Sequence, residues 1–269
     1  MVPITATLIV ILVSCLFVYP FLWMFLASFK ENRQIFSPLK ILPDHFGFEY
    51  YRQLFRGEWI PFFQAFLNSL IVALSQSVGA VSLTSLAGYV FSKHEFPQRR
   101  LLFILALVVI VLPQQALAVP LFMWIHTLHL SNALAGVIFP GFVSGLGIIY
   151  FTQVFRQIPD DYVHVARLAG ASEFRVFLAL LPMVISPLLS FGLVHFVLAW
   201  HQHLIPMLVL SSETKQTLPL ALSSLYGSSL RFPYAVLMAG STLSLLPTVL
   251  LFCILYRRFK SSLSELLVH

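Results

Sequence analysis

Side chains able to do chemistry are scarce in this sequence, and their spacing decides against most kinds of it. Three histidines, His195, His201 and His203, lie close together in the chain. Imidazole titrates near neutrality and can relay protons; alternatively, the rings simply face protein or a wet cavity and hydrogen-bond there. His201 and His203 are two positions apart, so on a helix they point about 200° from one another and cannot readily share a metal. No metal site is expected. Serines gather at Ser75, Ser77, Ser82 and Ser85, but the Gly-x-Ser-x-Gly elbow that presents a nucleophile is absent, and small polar residues of this kind serve close helix packing. Cys15 and Cys253 stand in apolar runs near opposite ends of the chain, without the spacing of a bridge or a metal site. No Gly-x-x-x-x-Gly-Lys-Ser/Thr segment is present to cradle a nucleotide phosphate. The chain is expected to have no catalytic residue, no cofactor and no enzymatic activity of its own, so any energy it uses must come from elsewhere.

The elements that carry these residues follow from composition. Of 269 residues, 59% are hydrophobic and 10% charged, and the mean hydropathy is +0.90. A soluble chain carries roughly a quarter charged residues, so the solvent for this one must be lipid. That excludes a globular enzyme in water, a disordered chain and a disulfide scaffold. The net charge of +6 fits basic loops held on the cytoplasmic side of a membrane better than a nucleic-acid partner, and none is expected. Spanning the hydrocarbon takes about 20 apolar residues. Six runs free of Asp, Glu, Lys and Arg qualify: Ile4 to Phe29, Phe66 to Ser92, Leu101 to Ile125, Ala133 to Phe155, Met183 to Leu210 and Tyr234 to Tyr256. The first is too long for a signal peptide's apolar region and lacks a convincing cleavage site. The runs are continuous rather than alternating, which points to helices and not to a barrel. An all-α polytopic membrane protein with six transmembrane helices is predicted, as one transmembrane domain over 1–269 with its core at about 66–260. Pro20, Pro113, Pro187 and Pro206 should kink or break the helices they enter.

Orientation rests on the basic residues between spans. Lys93, Arg99, Arg100, Arg156, Arg167, Arg175, Arg257, Arg258 and Lys260 fall on one side, and Lys30, Arg33, Lys40, Arg52, Arg56, Lys215 and Arg231 on the other. The imbalance is small and favours both termini in the cytoplasm, although Lys30, directly after the first span, votes the other way. A membrane-buried carboxylate is what binds a coupling ion in pumps and symporters, and the six runs hold none. Ion-coupled transport is therefore disfavoured unless the histidines act alone.

One connection is too long and too charged for a simple turn: residues 156–182, between spans four and five. Asp160 or Asp161 can accept from the exposed N–H groups of a helix that starts after Pro159. Gly170 supplies a left-handed stop, and Ser172 can cap a second helix. Two short cytoplasmic helices joined at Gly170 are predicted. Val165, Ala166 and Ala169 give the first a small-residue surface suited to contact with another protein; lying on the membrane surface is the alternative.

This loop resembles the cytoplasmic signature of ABC importer permeases, specifically the sugar-importer permeases of the maltose and glycerol-phosphate type. The likeness extends through Asn68-Ser69-Leu70, Leu86-Ala87-Gly88-Tyr89, Phe96-Pro97, Val119-Pro120-Leu121, Phe155-Arg156-Gln157-Ile158-Pro159, Gly170-Ala171-Ser172, Ala199-Trp200 and Thr217-Leu218-Pro219. Ala166 and the Gly170-Ala171-Ser172 turn match the signature. His164 stands where the family has Glu, Val165 where it has Ala and Ala169 where it has Asp, and the chain end from Leu266 to His269 lacks the family's glycine-rich tail.

The resemblance implies a multi-pass subunit of the bacterial cytoplasmic (inner) membrane that imports a carbohydrate, polyol or sugar phosphate. An extracytoplasmic solute-binding protein would deliver the solute, a second, related permease would pair with this one, and a dimer of ABC ATPase subunits would supply the energy. It places Val163, His164, Val165, Ala166, Ala169, Gly170, Ala171 and Ser172 in the ATPase groove, moving spans three to five together. It also turns Lys30 to Trp59 and Ser211 to Phe232 toward the binding protein, although the aromatics there (Phe46, Phe48, Tyr50, Tyr51, Phe55, Trp59) suit packing or interfacial anchoring. Gln114 and Gln115 lie deep enough to offer amides to solute hydroxyls, and Trp200 with His201 lies beside the family's usual cavity. Bonding to neighbouring helices is the alternative for all four. A permease-like scaffold that has lost ATPase coupling is the rival reading, favoured by His164, Val165 and Ala169.

Overall fold

The computed structural model describes residues 4–37, 40–227 and 233–267, with side chains as far as Tyr256. Readings that concern Arg231, the side chains of Arg257, Arg258 and Lys260, or the chain end at Val268 and His269 fall outside the described residues. Every regular element among those described is helical. In chain order they are α1 (Ile4–Ala27), α2 (Asn32–Ile35), α3 (Glu49–Arg56), α4 (Phe62–Lys93), α5 (Arg99–Val111), α6 (Gln114–Thr127), α7 (Leu134–Ile138), α8 (Gly145–Arg156), α9 (Asp160–Leu168), α10 (Glu173–Leu180), α11 (Ile185–Trp200), α12 (Leu204–Val209), α13 (Leu218–Ser224) and α14 (Tyr234–Leu267), with short 3-10 turns between some of them.

Among the described residues, five stretches are long and apolar enough to cross a membrane: Thr5–Ala27, Phe62–Lys93, Leu134–Arg156, Glu173–Trp200 and Tyr234–Tyr256. The expected third span is interrupted at Pro113, one of the prolines expected to kink or break a helix. It is two helices, α5 and α6, whose axes bend by 108°. The cause is Pro113, whose ring disfavours the helical conformation of the residue before it. Leu112 is accordingly extended, at φ −68° and ψ 123°, and Pro113 precedes α6 in an extended conformation too. Pro20 and Pro247, in contrast, lie inside α1 and α14. The fifth span also differs from expectation. It starts at Glu173, runs through α10, a 3-10 turn and α11, and stops at Trp200; residues 204–209 form the separate α12.

The chain divides into two units by its contacts. One comprises Met1–Leu67 and Gln216–Val249. Its small core is Ala27, Ile35 and Ala235, with Trp23, Tyr50, Tyr234 and Met238 against it, and the Asn32 side chain accepts from the Ala235 N–H at 3.1 Å. The Phe29 ring is surrounded by those of Phe46, Phe48 and Tyr51 at 5.5–5.6 Å, so these aromatics pack on one another. Lys30 is buried, and its ammonium group donates to the Lys40 carbonyl.

The second unit, Asn68–Lys215 and Leu250–His269, holds the larger core. Tyr89, Phe151, Phe155, Val176, Phe177 and Phe191 are among its buried members, drawn from α4, α8, α10 and α11. Small residues set the helix spacing. A Cβ on Gly88 would stand 2.5 Å from the Phe151 Cβ and 2.7–2.8 Å from the backbone of Phe151 and Thr152, so α4 and α8 touch main chain to main chain. α5 lies along α8. Asn132, at φ +53°, ties down the segment after α12: its side-chain oxygen accepts from the N–H groups of Ser211 and Ser212, and its amide donates to the Ser212 hydroxyl.

Candidate functional site

The break at Pro113 opens a cavity of about 910 Å³ within the second unit. Its wall is assembled from the start of α6 (Gln114, Gln115), the end of α5 (Val109, Leu112), α4 (Gln76), the turn before α8 (Ser144) and the junction of α11 with α12 (His195, His201, Gln202, His203). A new helix begins at Gln114 only because the proline ends the previous one, and this brings both amides to the wall. Ser144 is in place as the N-cap of α8, its hydroxyl accepting from the Gly147 N–H at 3.2 Å. The chain turns at 201–203, which puts two imidazoles and an amide on one short stretch of wall.

The wall holds no acid and no permanently charged base: among the described lining residues there is no Asp, Glu, Lys or Arg. Amides, imidazoles and a hydroxyl can donate and accept hydrogen bonds, and Leu112, Leu117, Leu121, Trp124 and Leu198 supply apolar surface between them. Gln76 is 2% exposed and donates to the Val137 carbonyl at 2.7 Å and to the Gln202 side-chain oxygen at 3.2 Å. Nδ1 of His195 is buried without a hydrogen-bond partner. Such a wall suits a neutral, polyhydroxylated molecule with apolar ring faces.

Of the four residues expected to line a solute path, Gln114, Gln115 and His201 border the cavity and Trp200 does not. Trp200 is 1% exposed and stacks on Phe196, with ring centroids 5.8 Å apart. Consecutive helical residues point about 100° apart, so Trp200 turns into the protein when His201 turns to the cavity. His195 and His203, read from the sequence as facing protein or a wet cavity, also border it, whereas Gln76, Ser144 and Gln202 were not assigned to a wall from the sequence. A glutamine in the middle of the apolar run of span two was a signal available for Gln76.

The 156–182 stretch holds two helices joined at Gly170; α9 is short, as its residues predict, but α10 is the start of the fifth span and not a second short helix outside it. Asp160 and Asp161 occupy the first turn of α9 and Arg167 its last, each complementing the helix dipole. Gly170, at φ +79°, ends it. The Gly170 N–H donates to the Arg167 carbonyl at 2.9 Å and the Ala171 N–H to that of Ala166 at 3.1 Å, the paired bonds of a Schellman stop. Ser172 stands before α10 in an extended conformation, but its hydroxyl makes no capping bond.

Ionic ties fix both ends of α9. Lys93, whose side chain is 3% exposed, reaches Asp160 at 2.6 Å and also donates to the Ile158 carbonyl. The hydrogen bond and the positive charge of Lys93 hold the Asp160 carboxyl below its ordinary pKa. At the other end Glu173 accepts from Arg167 through both oxygens, at 2.8 and 3.2 Å, and from the Tyr89 hydroxyl at 3.0 Å, with the His94 ring 3.1 Å away.

The loop divides into two faces. Val163 is 2% exposed and belongs to the core cluster of α4, α8, α10 and α11, with Ala166 and Ala171 partly buried against it. Full burial of a valine is worth about 1.5–3 kcal/mol. His164, Val165, Ala169, Gly170 and Ser172 are exposed, and so are the larger apolar side chains of Tyr162, Leu168 and Phe174. Leu168 is 89% exposed. Val163, Ala166 and Ala171 thus root the loop, reaching span two as well as spans four and five, while the outward surface is larger and more apolar than its small residues alone suggested.

The family described as "Binding-protein-dependent transport system inner membrane component" matches residues 80–265. The arabinooligosaccharides transport system permease protein AraQ of Bacillus subtilis (strain 168) is 31% identical over 270 residues, covering 97% of this chain and 94% of the relative. The diacetylchitobiose uptake system permease protein NgcG of Streptomyces coelicolor is 30% identical, covering 96% and 86%. The sn-glycerol-3-phosphate transport system permease protein UgpE of Pectobacterium atrosepticum is 27% identical, covering 90% and 88%. In fold, the chain is similar to one from a bacterial ABC transporter involved in the import of the acidic polysaccharide alginate, with a TM-score of 0.84 at 17% identity over 95% of both chains.

Proposed function

The chain belongs to the binding-protein-dependent transport system inner membrane components, and from that premise we propose that it is the permease subunit of an ATP-driven importer of a neutral carbohydrate. The family is one of membrane transport subunits rather than enzymes. In this reading the chain acts as one permeation domain of a bacterial inner membrane with both termini in the cytoplasm. It pairs with a second, related permease, receives solute from an extracytoplasmic binding protein and docks α9 with its flanks onto a dimer of ATPase subunits.

The observation that carries the proposal is the division of the 160–174 loop. An apolar surface made of Tyr162, Val165, Leu168 and Phe174 faces outward, and the same loop is rooted by Val163 in the core of the spanning helices. A partner that grips the outer face differently in its nucleotide-bound and nucleotide-free states biases two arrangements of the helices. No carboxylate lies in the cavity wall to couple an ion. The relatives named for oligosaccharide transport support a carbohydrate cargo, and a wall without Lys or Arg supports a neutral one over a phosphorylated one.

Leu168→Asp tests the reading with little effect on folding, because that side chain touches almost nothing. The tagged variant from native membranes should lose its co-purifying ATPase, and vesicles containing the assembled transporter should lose ATP-dependent uptake. Retention of both, or wild-type uptake that survives ATP depletion and collapses with an uncoupler, overturns the proposal.

A further inference from the structure

A second cavity, of about 400 Å³, lies where α5 begins and α8 ends, and we propose that it is a binding site for the headgroup of an anionic phospholipid. Three guanidinium groups border it: Arg99 and Arg100 from the first turn of α5, and Arg156 from the last turn of α8. The acid beside them is Glu95, 95% exposed in its side chain and 3.5 Å from Arg99, too exposed to neutralise the group. Arg100 and Arg156 form no ion pair among the described residues. The site therefore holds uncompensated positive charge. Arg99 and Arg100 also sit at the positive end of the α5 dipole, where cations are disfavoured unless an anion joins them.

The rest of the wall is apolar. Phe91, Phe96 and Phe103 contribute rings, Phe91 packing on the other two at 5.6 and 5.8 Å. Arginine forks match phosphate oxygens bidentately, and the neighbouring aromatic surface suits the glycerol and first methylenes of an acyl chain. An amphiphile with a phosphate head satisfies both parts, whereas free phosphate satisfies only the first. The position agrees: Arg99 and Arg156 flank spanning segments, where bilayer headgroups lie.

The test is native mass spectrometry of the detergent-purified full chain titrated with phosphatidylglycerol, phosphatidylcholine or inorganic phosphate. Phosphatidylglycerol should be retained in preference to phosphatidylcholine. At roughly fivefold for each basic residue, the double variant Arg100→Gln/Arg156→Gln should weaken that preference about thirtyfold, and Arg100→Lys/Arg156→Lys should keep most of it. If the double glutamine variant does not fold, Arg100→Gln alone should show the fivefold loss. Equal retention of the two lipids, a preference unaffected by the glutamine substitutions, or displacement of the lipid by equimolar inorganic phosphate each overturns the assignment.

Discussion

Replacing Gly88 with alanine should separate α4 from α8, and a second glycine in the same unit provides the control. The new methyl carbon would stand 2.5 Å from the Phe151 Cβ, 2.7 Å from its carbonyl carbon and 2.8 Å from the Thr152 nitrogen, against about 3.5–4.0 Å at the optimum for carbon contacts. Two of those atoms are backbone, so no rotamer change relieves the overlap and the helices must part by about 1 Å. Overpacking of this kind costs about 1–3 kcal/mol. Alanine also favours a helix over glycine by up to about 1 kcal/mol, which would mask part of the loss. Gly192, in α11, cancels that term: it is also helical, but a Cβ there meets Val81 at 3.4 Å and Ser77 at 3.6 Å, ordinary contacts. The Gly88→Ala protein should therefore be about 1–3 kcal/mol less stable than the Gly192→Ala protein, read as melting temperatures of the purified chains in one detergent. Equal melting temperatures, or a less stable Gly192→Ala protein, would refute main-chain contact between α4 and α8.

Pro113→Ala frees Leu112 to become helical and should straighten α5 into α6. A cysteine at Gln115, in a background without Cys15 and Cys253, should then react with a water-soluble thiol reagent about tenfold more slowly; an unchanged rate would clear the proline of making the cavity. The tie between Lys93 and Asp160 predicts a direction with pH. Because the folded-state pKa of Asp160 is depressed, the stabilisation is complete above the ordinary value of 3.8 and is lost as pH falls through the lowered one. A spin label at residue 168 should gain mobility over that acidic range in the wild-type background, and Asp160→Asn should shrink the transition to the part carried by the Arg167–Glu173 tie.

The broad architecture was legible because lipid imposes a simple rule: runs of about 20 apolar residues become helices. The loop was legible for local reasons as well. Pro159, the paired aspartates and Gly170 act within one or two turns of helix, and the Schellman bonds at Gly170 are where the sequence put the stop. Pro113 marked where span three would kink or break, but hydropathy does not register that the break is a 108° change of direction. Pro20 and Pro247 stay inside helices, so proline alone does not announce a break. Trp200 was misassigned for a related reason: which of two adjacent side chains faces a cavity depends on the helix's rotation about its axis, which packing decides. The wall itself draws on α4, α5, α6, α11 and α12, and no single window of sequence contains it. The outward face of α9 was only half seen, because attention to small residues passed over Leu168 and Tyr162.

The fifth span begins at Glu173, one turn of chain beyond Gly170, and ends at Trp200 beside the histidines of the cavity wall. At 1.5 Å per residue it is about 40 Å long. If it moved as one rigid rod under the proposed function, a pivot of 10° at its Glu173 end would sweep the Trp200 end through about 7 Å, more than the width of a sugar ring. Small travel at a partner's grip on α9 would then become large travel where a solute would sit, with the amplification set by the length of the span.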